Sequence, residues 1–318
     1  MIHVIDARNV NDAYLNGVAL LRERGTPRFS RAGDTLDAGA PVVTTYRRPY
    51  ERVLFDQVRD ANPFFHLFEA IWMMAGRQDV KWVSQFAQNM KNYSDDGEIL
   101  NGAYGYRWRA QFDQFTALAE MLAERDTRRA VLTMWDARKD LASQSKDIPC
   151  NTHIYFRVNG DGLDMTVCCR SNDIIWGLYG SNAVHMSVLH EWMSFAIGYL
   201  PGKMHTLSNS FHAYTDVFRR IEKSYGGTDP YVREFVSHLY MVKDPWRWLD
   251  EARIFCDEGV TGEYLEPFFA DTAVPMLRAW HLHKQKDKVG AFFAVKDIDA
   301  TDWQRACREW LTRRWPLV

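Results

Sequence analysis

The run HIYFRVNGDGLDMTVCCRS, residues 153–171, is the tightest constraint in the chain. Apolar and polar residues alternate on both sides of Asn159-Gly160-Asp161-Gly162, so it reads as two strands joined by a tight turn. A hairpin returns the end of its second strand to the start of its first. Arg170 and Ser171 are therefore expected beside Cys150, which stands in IPCN just before the outgoing strand. A free thiol is only about 3% thiolate at neutral pH, and lowering its pKa by about 1.5 units takes roughly 2 kcal/mol of electrostatic help. A guanidinium is the usual source of that help. Taken alone, Cys150 reads as a small buried core residue rather than a nucleophile.

Helical segments surround the hairpin. NPFFHLFEAIWMMAG (62–76) has apolar residues at helical spacing, an Asn-Pro start and a Gly end. NAVHMSVLHEWMSFAIG (182–198) is a second apolar helix ending at Gly198. HTLSNSFHAYTD (205–216) is short and alternating and is expected to be one more strand. Beyond Val217 the sequence is helical and charged, with Gly-Gly and Asp-Pro breaks. Hairpin strands mixed with long helices predict an α+β or α/β fold. The 318 residues contain no linker long enough to divide them, so one domain spanning 1–318 is expected.

A net charge of −2 gives no general attraction to nucleic acid or an anionic membrane, so a bound anion needs locally placed arginines. No stretch approaches the roughly 18 apolar residues of a membrane span, and the charged N-terminus is not that of a signal peptide. Five cysteines without a CxxC pair suit a reducing cytoplasm rather than a disulfide scaffold.

Arginines occur at three separated places: Arg31 in FSRAGDT, Arg128-Arg129 at the start of RRAVLTMW, and Arg170-Ser171. Guanidinium forks match phosphate oxygens, so together they suit a phosphate clamp. Singly, each is an ordinary surface arginine. Glu69 lies within the apolar helix, where a carboxylate must be paired, functional or turned to solvent. Asn182 either caps the following helix or reads a base edge. His212 and Tyr214, two apart, share one face of a strand and suit a sugar hydroxyl or a half-buried sheet face.

In this order the residues resemble the thymidylate synthase family. PCN (149–151) matches its Pro-Cys-His, CCRSNDIIWGLYGSN (168–182) its Arg-Ser-x-Asp with a following Asn, and FHAY (211–214) its Asp-x-His-x-Tyr. FEAIWMMAG (68–76), AYGYRWR (103–109) and the Arg pair 128–129 support it. The motifs span 24–214, leaving 217–318 as a divergent, mostly helical part. The spacing fits best with one residue inserted just before Asn182.

The resemblance implies a mixed sheet flanked by helices, with sheets packed back to back in a homodimer. It makes Cys150 the nucleophile at C6 of a pyrimidine nucleoside monophosphate. It gives the phosphate to Arg31, Arg170 and Ser171, with Arg128 and Arg129 from the other subunit. Asn182 reads the base, and His212 and Tyr214 hold the ribose. Glu69 organises water and proton transfers, Tyr104 assists proton removal from C5, and Asp173 contacts the pterin. The co-substrate implied is 5,10-methylenetetrahydrofolate, and no metal is required.

Four departures bear on the product. The stretch 83–103 has no Trp, although the chain has 12. Asn151 replaces the usual His, and Ser210 replaces the Asp of Asp-x-His-x-Tyr. The end, RRWPLV, is not the family's closing tail. All touch the folate and base surroundings, where excluding water protects a reactive intermediate. They favour the hydroxymethylase branch over reductive methylation of dUMP. An Asn amide serves uracil or, flipped, cytosine. Asn151 tilts the expectation slightly toward dCMP or CMP. The rivals are a cysteine hydrolase using His153 or His212, and an inactive nucleotide- or RNA-binding relative.

Overall fold

The structure is a computed structural model that describes residues 1–124, 127–224 and 227–315. In chain order the first elements are β1 (His3–Ala7), α1 (Val10–Arg24), β2 (Thr26–Ser30), β3 (Gly33–Asp37) and β4 (Val42–Tyr46). Then come α2 (Pro63–Met74), α3 (Val80–Val83), α4 (Tyr104–Arg109), α5 (Gln114–Ala123), β5 (Val131–Thr133) and α6 (Ala137–Asp140). The central part holds β6 (Asn151–Asn159), β7 (Gly162–Cys169), β8 (Asn172–Asp173), α7 (Asn182–Ala196), β9 (Leu200–Ser208) and β10 (Phe211–Tyr214). Helices α8 (Thr215–Ile221), α9 (Pro245–Glu258), α10 (Val274–Lys284), α11 (Lys288–Lys296) and α12 (Thr301–Arg314) follow.

A six-stranded mixed sheet, in the order β1-β4-β9-β7-β6-β5, stands beside a four-stranded one, β2-β3-β10-β8. The expected hairpin is β6 and β7, paired antiparallel through Asn159–Gly162, with Gly160 at φ +61. Strand register sorts side chains into two faces. Thr44, Thr206, Val167, Ile154 and Leu132 form one row across the large sheet, and all are buried. The adjacent row, Thr45, His205, Thr166, Tyr155 and Val131, is half-buried or exposed. Helices thus cover one face of this sheet in the chain, and the other stays open.

Helix α2 is apolar nearly all round, the signature of a helix enclosed on every side. Asn62 Oδ1 accepts from Phe65 N at 3.2 Å, Pro63 opens the first turn, and Gly76 leaves it at φ +76. Phe64 packs on Trp280 and Trp310, and Phe68 on Phe86 and Phe255. Each such ring contributes about 2–3 kcal/mol by burial. The C-terminal helices therefore share one core with the motif-bearing part, and α2 is the element they enclose.

Residues 205–216, expected as one strand, are two. The chain leaves the large sheet at Ser208 and enters the small one at Phe211. Asn209 N donates to Cys169 O at 2.9 Å and Asn172 N donates to Ser210 O at 2.8 Å, which fixes the crossing. Asn182 does not cap a helix with its side chain. Residues Ile174–Ser181 form a π-helical segment, kinked at Gly180, that runs directly into α7. A π turn is how a helix takes up one extra residue, and this one lies where the motif spacing asks for an insertion.

Candidate active site

The hairpin delivers Arg170 to Cys150. Arg170 N donates to Cys150 O at 2.9 Å, closing the strand pair beyond the ends of β6 and β7. Its guanidinium donates to Pro149 O (2.9 Å) and Ile148 O (3.0 Å) and reaches Cys150 Sγ at 4.0 Å. The thiol is nonetheless held above its ordinary pKa. Burial raises it, Arg170 lowers it, and Asp147 and Asp173 raise it again. Arg170 alone therefore does not make a resting thiolate.

Cys150 opens onto a cleft of about 670 Å³. Arg31, Arg170, Ser171, His212 and Tyr214 all line it, so five residues singled out by sequence meet the thiol in one space. Arg31 projects from the β2–β3 turn, where Gly33 takes φ +125. Arg28, Tyr93, Lys146, Asp147 and Ser210 also line the cleft. Ser210 holds the Asp position of the Asp-x-His-x-Tyr motif, and the other four carried no motif. Tyr93 comes from the Trp-free stretch, and Lys146 and Asp147 directly precede the thiol segment.

Ser210 has a defined role in the geometry. Its hydroxyl donates to Asp37 Oδ2 at 2.9 Å and lies 3.1 Å from His212 Nδ1. An ionised carboxylate only accepts, so the single Ser210 proton points to Asp37. The Ser210 oxygen then accepts from His212 Nδ1–H, which leaves Nε2 as an acceptor. Asp37 of β3 thus supplies the carboxylate missing from the Asp-x-His-x-Tyr pattern.

Behind the thiol lies a polar layer. Asn151 is buried; its N–H donates to Tyr104 Oη at 3.3 Å and its Nδ2 donates to Asn182 Oδ1 at 3.5 Å. Asn151 Oδ1 is buried without a partner. Burial pushes the Tyr104 phenol well above its usual pKa, so it stays protonated. Glu69 Oε2 approaches His185 Nε2 to 3.1 Å. Asp173 Oδ1 accepts from Ile175 N (2.6 Å) and Trp176 N (3.0 Å), while Oδ2 is buried and unpartnered. Burial raises the Asp173 pKa. Trp176 is 53% exposed, with the Arg59 guanidinium 4.5 Å from its ring centroid. Asp173 thus keeps one enclosed carboxylate oxygen without a partner, three residues before a half-exposed indole.

Arg128 and Arg129 do not join this cleft. Both are exposed, and Arg129 lines a different cavity with residues of α4, α5 and β5. His153 stacks on Tyr155 on the open sheet face and does not line the cleft, which removes it as a partner for Cys150. Arg313 and Arg314 of α12 both bind Asp60, next to Arg59, and Pro316–Val318 lie outside the described residues.

The thymidylate synthase family model matches residues 57–228, just over half the chain. The chain is 43% identical to a deoxyuridylate hydroxymethyltransferase of Pseudomonas phage M6, over 98% of this chain and 94% of that one. It belongs to the thymidylate synthase family. Family membership makes it a one-carbon transferase, in a family that uses a pyrimidine monophosphate and methylenetetrahydrofolate. A deoxyuridylate hydroxymethyltransferase of Bacillus phage SP01 is 33% identical over 58% of this chain and 54% of its own. A putative thymidylate synthase of Methanothermobacter marburgensis is 30% identical over 70% of this chain and 98% of its own. These relatives give the slight lean toward cytosine no support, since both phage enzymes are named for deoxyuridylate. Among the described residues no cluster of His, Cys, Asp and Glu could hold a metal, and no helix is long and apolar enough to cross a membrane.

Proposed function

We propose that this enzyme transfers a one-carbon unit from 5,10-methylenetetrahydrofolate to C5 of deoxyuridylate and completes the reaction with water, giving 5-hydroxymethyldeoxyuridylate. The observation that carries the reading is the Cys150 thiol set between the Arg170 guanidinium and the Asn151–Asn182 amide pair. The phage M6 relative, similar over nearly its whole length, supports the product and the base.

Arg31, Arg170 and Ser171 hold the 5′-phosphate in the cleft. His212 Nε2 accepts from the ribose 3′-hydroxyl, and Tyr214 lies beside it. Uracil has a donor at N3 and an acceptor at O4. The unpartnered Asn151 Oδ1 and the Nδ2 donor of Asn182 match that pattern, and both amides turned over, with their mutual bond kept, would match cytosine, so the base rests on the relatives.

Cys150 adds to C6, and Arg170 stabilises the thiolate as it forms. Addition makes C5 a nucleophile, which is covalent catalysis. The folate supplies carbon at the oxidation level of formaldehyde, so a hydroxymethyl product requires no reductant. The protonated Tyr104 assists loss of the C5 proton through its hydrogen-bonded neighbours. Glu69 takes the proton of the water that adds to the exocyclic methylene. Asp173 and Trp176 hold the pterin.

The open face of the large sheet supports a homodimer, with Tyr155 and Val131 covered by the partner. Arg128 and Arg129 then act in the partner's cleft. Five free cysteines agree with a cytoplasmic location.

Incubation with methylenetetrahydrofolate and dUMP, dCMP or CMP, followed by product mass, tests the reading. The expected product is hydroxymethyl-dUMP with no rise in dihydrofolate absorbance. A methyl product with dihydrofolate makes the enzyme a thymidylate synthase proper.

A further inference from the structure

Glu69 and His185 meet between α2 and α7, two helices packed on each other. Their side chains are 11% and 6% exposed. Although Glu69 Oε2 and His185 Nε2 stand 3.1 Å apart, they are not in line for a hydrogen bond. Oε2 and both His185 ring nitrogens are buried without a partner. Buried polar atoms are nearly always satisfied, so three such atoms together need a reason. A pair serving only to join two helices would be aligned.

Position supplies the reason. His185 is three residues after Asn182 on α7, so the two share a face one turn apart. The Asn182 amide meets Asn151, whose backbone continues from Cys150. The Glu69–His185 pair therefore stands one turn behind the amides at the nucleophile. Oε2 is enclosed, while the other carboxylate oxygen is not among the buried atoms without a partner. His66 lies one turn before Glu69 on the same helix, buried and kept neutral by that burial and by the Arg59 guanidinium. It supplies no cation to hold the carboxylate.

We propose that His185 is a positioning residue for water addition: with nucleotide and folate bound, its ring turns into line with the Glu69 oxygen that lies 3.1 Å away, so that the other carboxylate oxygen directs the attacking water. The inference rests on the hydroxymethyl reading above. In that step the water oxygen bonds to the exocyclic carbon, and the C5-methylene electron pair moves into the ring as an enolate. One water proton passes to the Glu69 carboxylate. The enolate then re-forms the C5–C6 double bond and expels Cys150 sulfur as thiolate.

The test uses the full-length enzyme with dUMP tritiated at C5 and methylenetetrahydrofolate, in His185→Ala and His185→Gln. Tritium release reports proton loss at C5, which precedes water addition. Product mass reports water addition, and 2-mercaptoethanol serves as a competing nucleophile for the exocyclic methylene. In wild type, tritium released and hydroxymethyl product match. In H185A, tritium release is expected to stay within about threefold while hydroxymethyl product falls at least about tenfold and the mercaptoethanol thioether appears. H185Q, which keeps an N–H donor, recovers part of the loss. Equal falls in both readouts, or no fall in either, overturn the role of His185. A methyl product from wild type refutes the hydroxymethyl reading itself, whatever the variants do.

Discussion

Ser210 donates its hydroxyl to Asp37, and this one bond sets the tautomer of His212. If His212 Nε2 is an acceptor for the ribose 3′-hydroxyl, breaking the relay loosens nucleotide binding more than it slows chemistry. Ser210→Ala is expected to raise KM for the nucleotide about tenfold with kcat within about threefold. A nucleotide lacking the 3′-hydroxyl should bind wild type and S210A with nearly equal affinity. A full additional loss in S210A with that analogue contradicts the tautomer argument.

Burial outweighs Arg170 at Cys150, so the resting enzyme is a thiol. Its alkylation by iodoacetamide should reach half-maximal rate above the ordinary thiol pKa. Arg170→Leu removes the lowering influence, moves that midpoint higher still and slows alkylation at any given pH below it. Cys150→Ser should retain nucleotide binding and lose C5 tritium release by at least about a thousandfold.

The exposed Arg128 and Arg129 give a complementation test. In a dimer that donates them across the interface, Arg129→Ala and Cys150→Ser chains are each defective alone. A mixed dimer has one site carrying both Cys150 and the partner's arginine. Equal mixing of the chains should restore about a quarter of the wild-type sites. No recovery on mixing, with both variants dimeric by sedimentation, assigns the arginines to a different role.

Asp302 tests the C-terminal core. It is buried, it accepts the Tyr231 hydroxyl at 2.8 Å, and burial pushes its pKa up to about 6 from 3.8. The folded state then binds this proton more tightly than the unfolded state. Its contribution is full below the unfolded pKa and is lost as pH rises through about 6. A shift of about two units corresponds to roughly 3 kcal/mol. Urea unfolding of wild type against Asp302→Asn, from pH 4 to 7.5, should show this part of the pH slope only in wild type.

The sequence made the thiol hairpin, both apolar helices and the phosphate-side residues readable, because each rests on a local pattern or a motif. Alternation located β6 and β7, and the Asn-Gly-Asp-Gly turn predicted that Arg170 meets Cys150. Long-range replacements stayed hidden. Asp37 lies 173 residues from the Ser210 it pairs with, and no local pattern links them. His185 is one polar residue in an apolar helix, and its role depends on which face meets Glu69. The β9–β10 crossing was missed because alternation runs through both strands and does not report a change of sheet. Trp176 had no signal beyond being an aromatic residue after the Asp173 motif.

That crossing works as a spacer. The thiol and its arginine are fixed by the large sheet, the ribose residues by the small one, and only Asn209 and Ser210 connect the β9 and β10 strands. Backbone bonds at both residues hold the spacer at one length. With Arg170-Ser171, which join β7 to β8, these two residues fix how His212 and Tyr214 stand relative to Cys150. A single residue inserted there would shift His212 and Tyr214 relative to Cys150 without removing any side chain of the site.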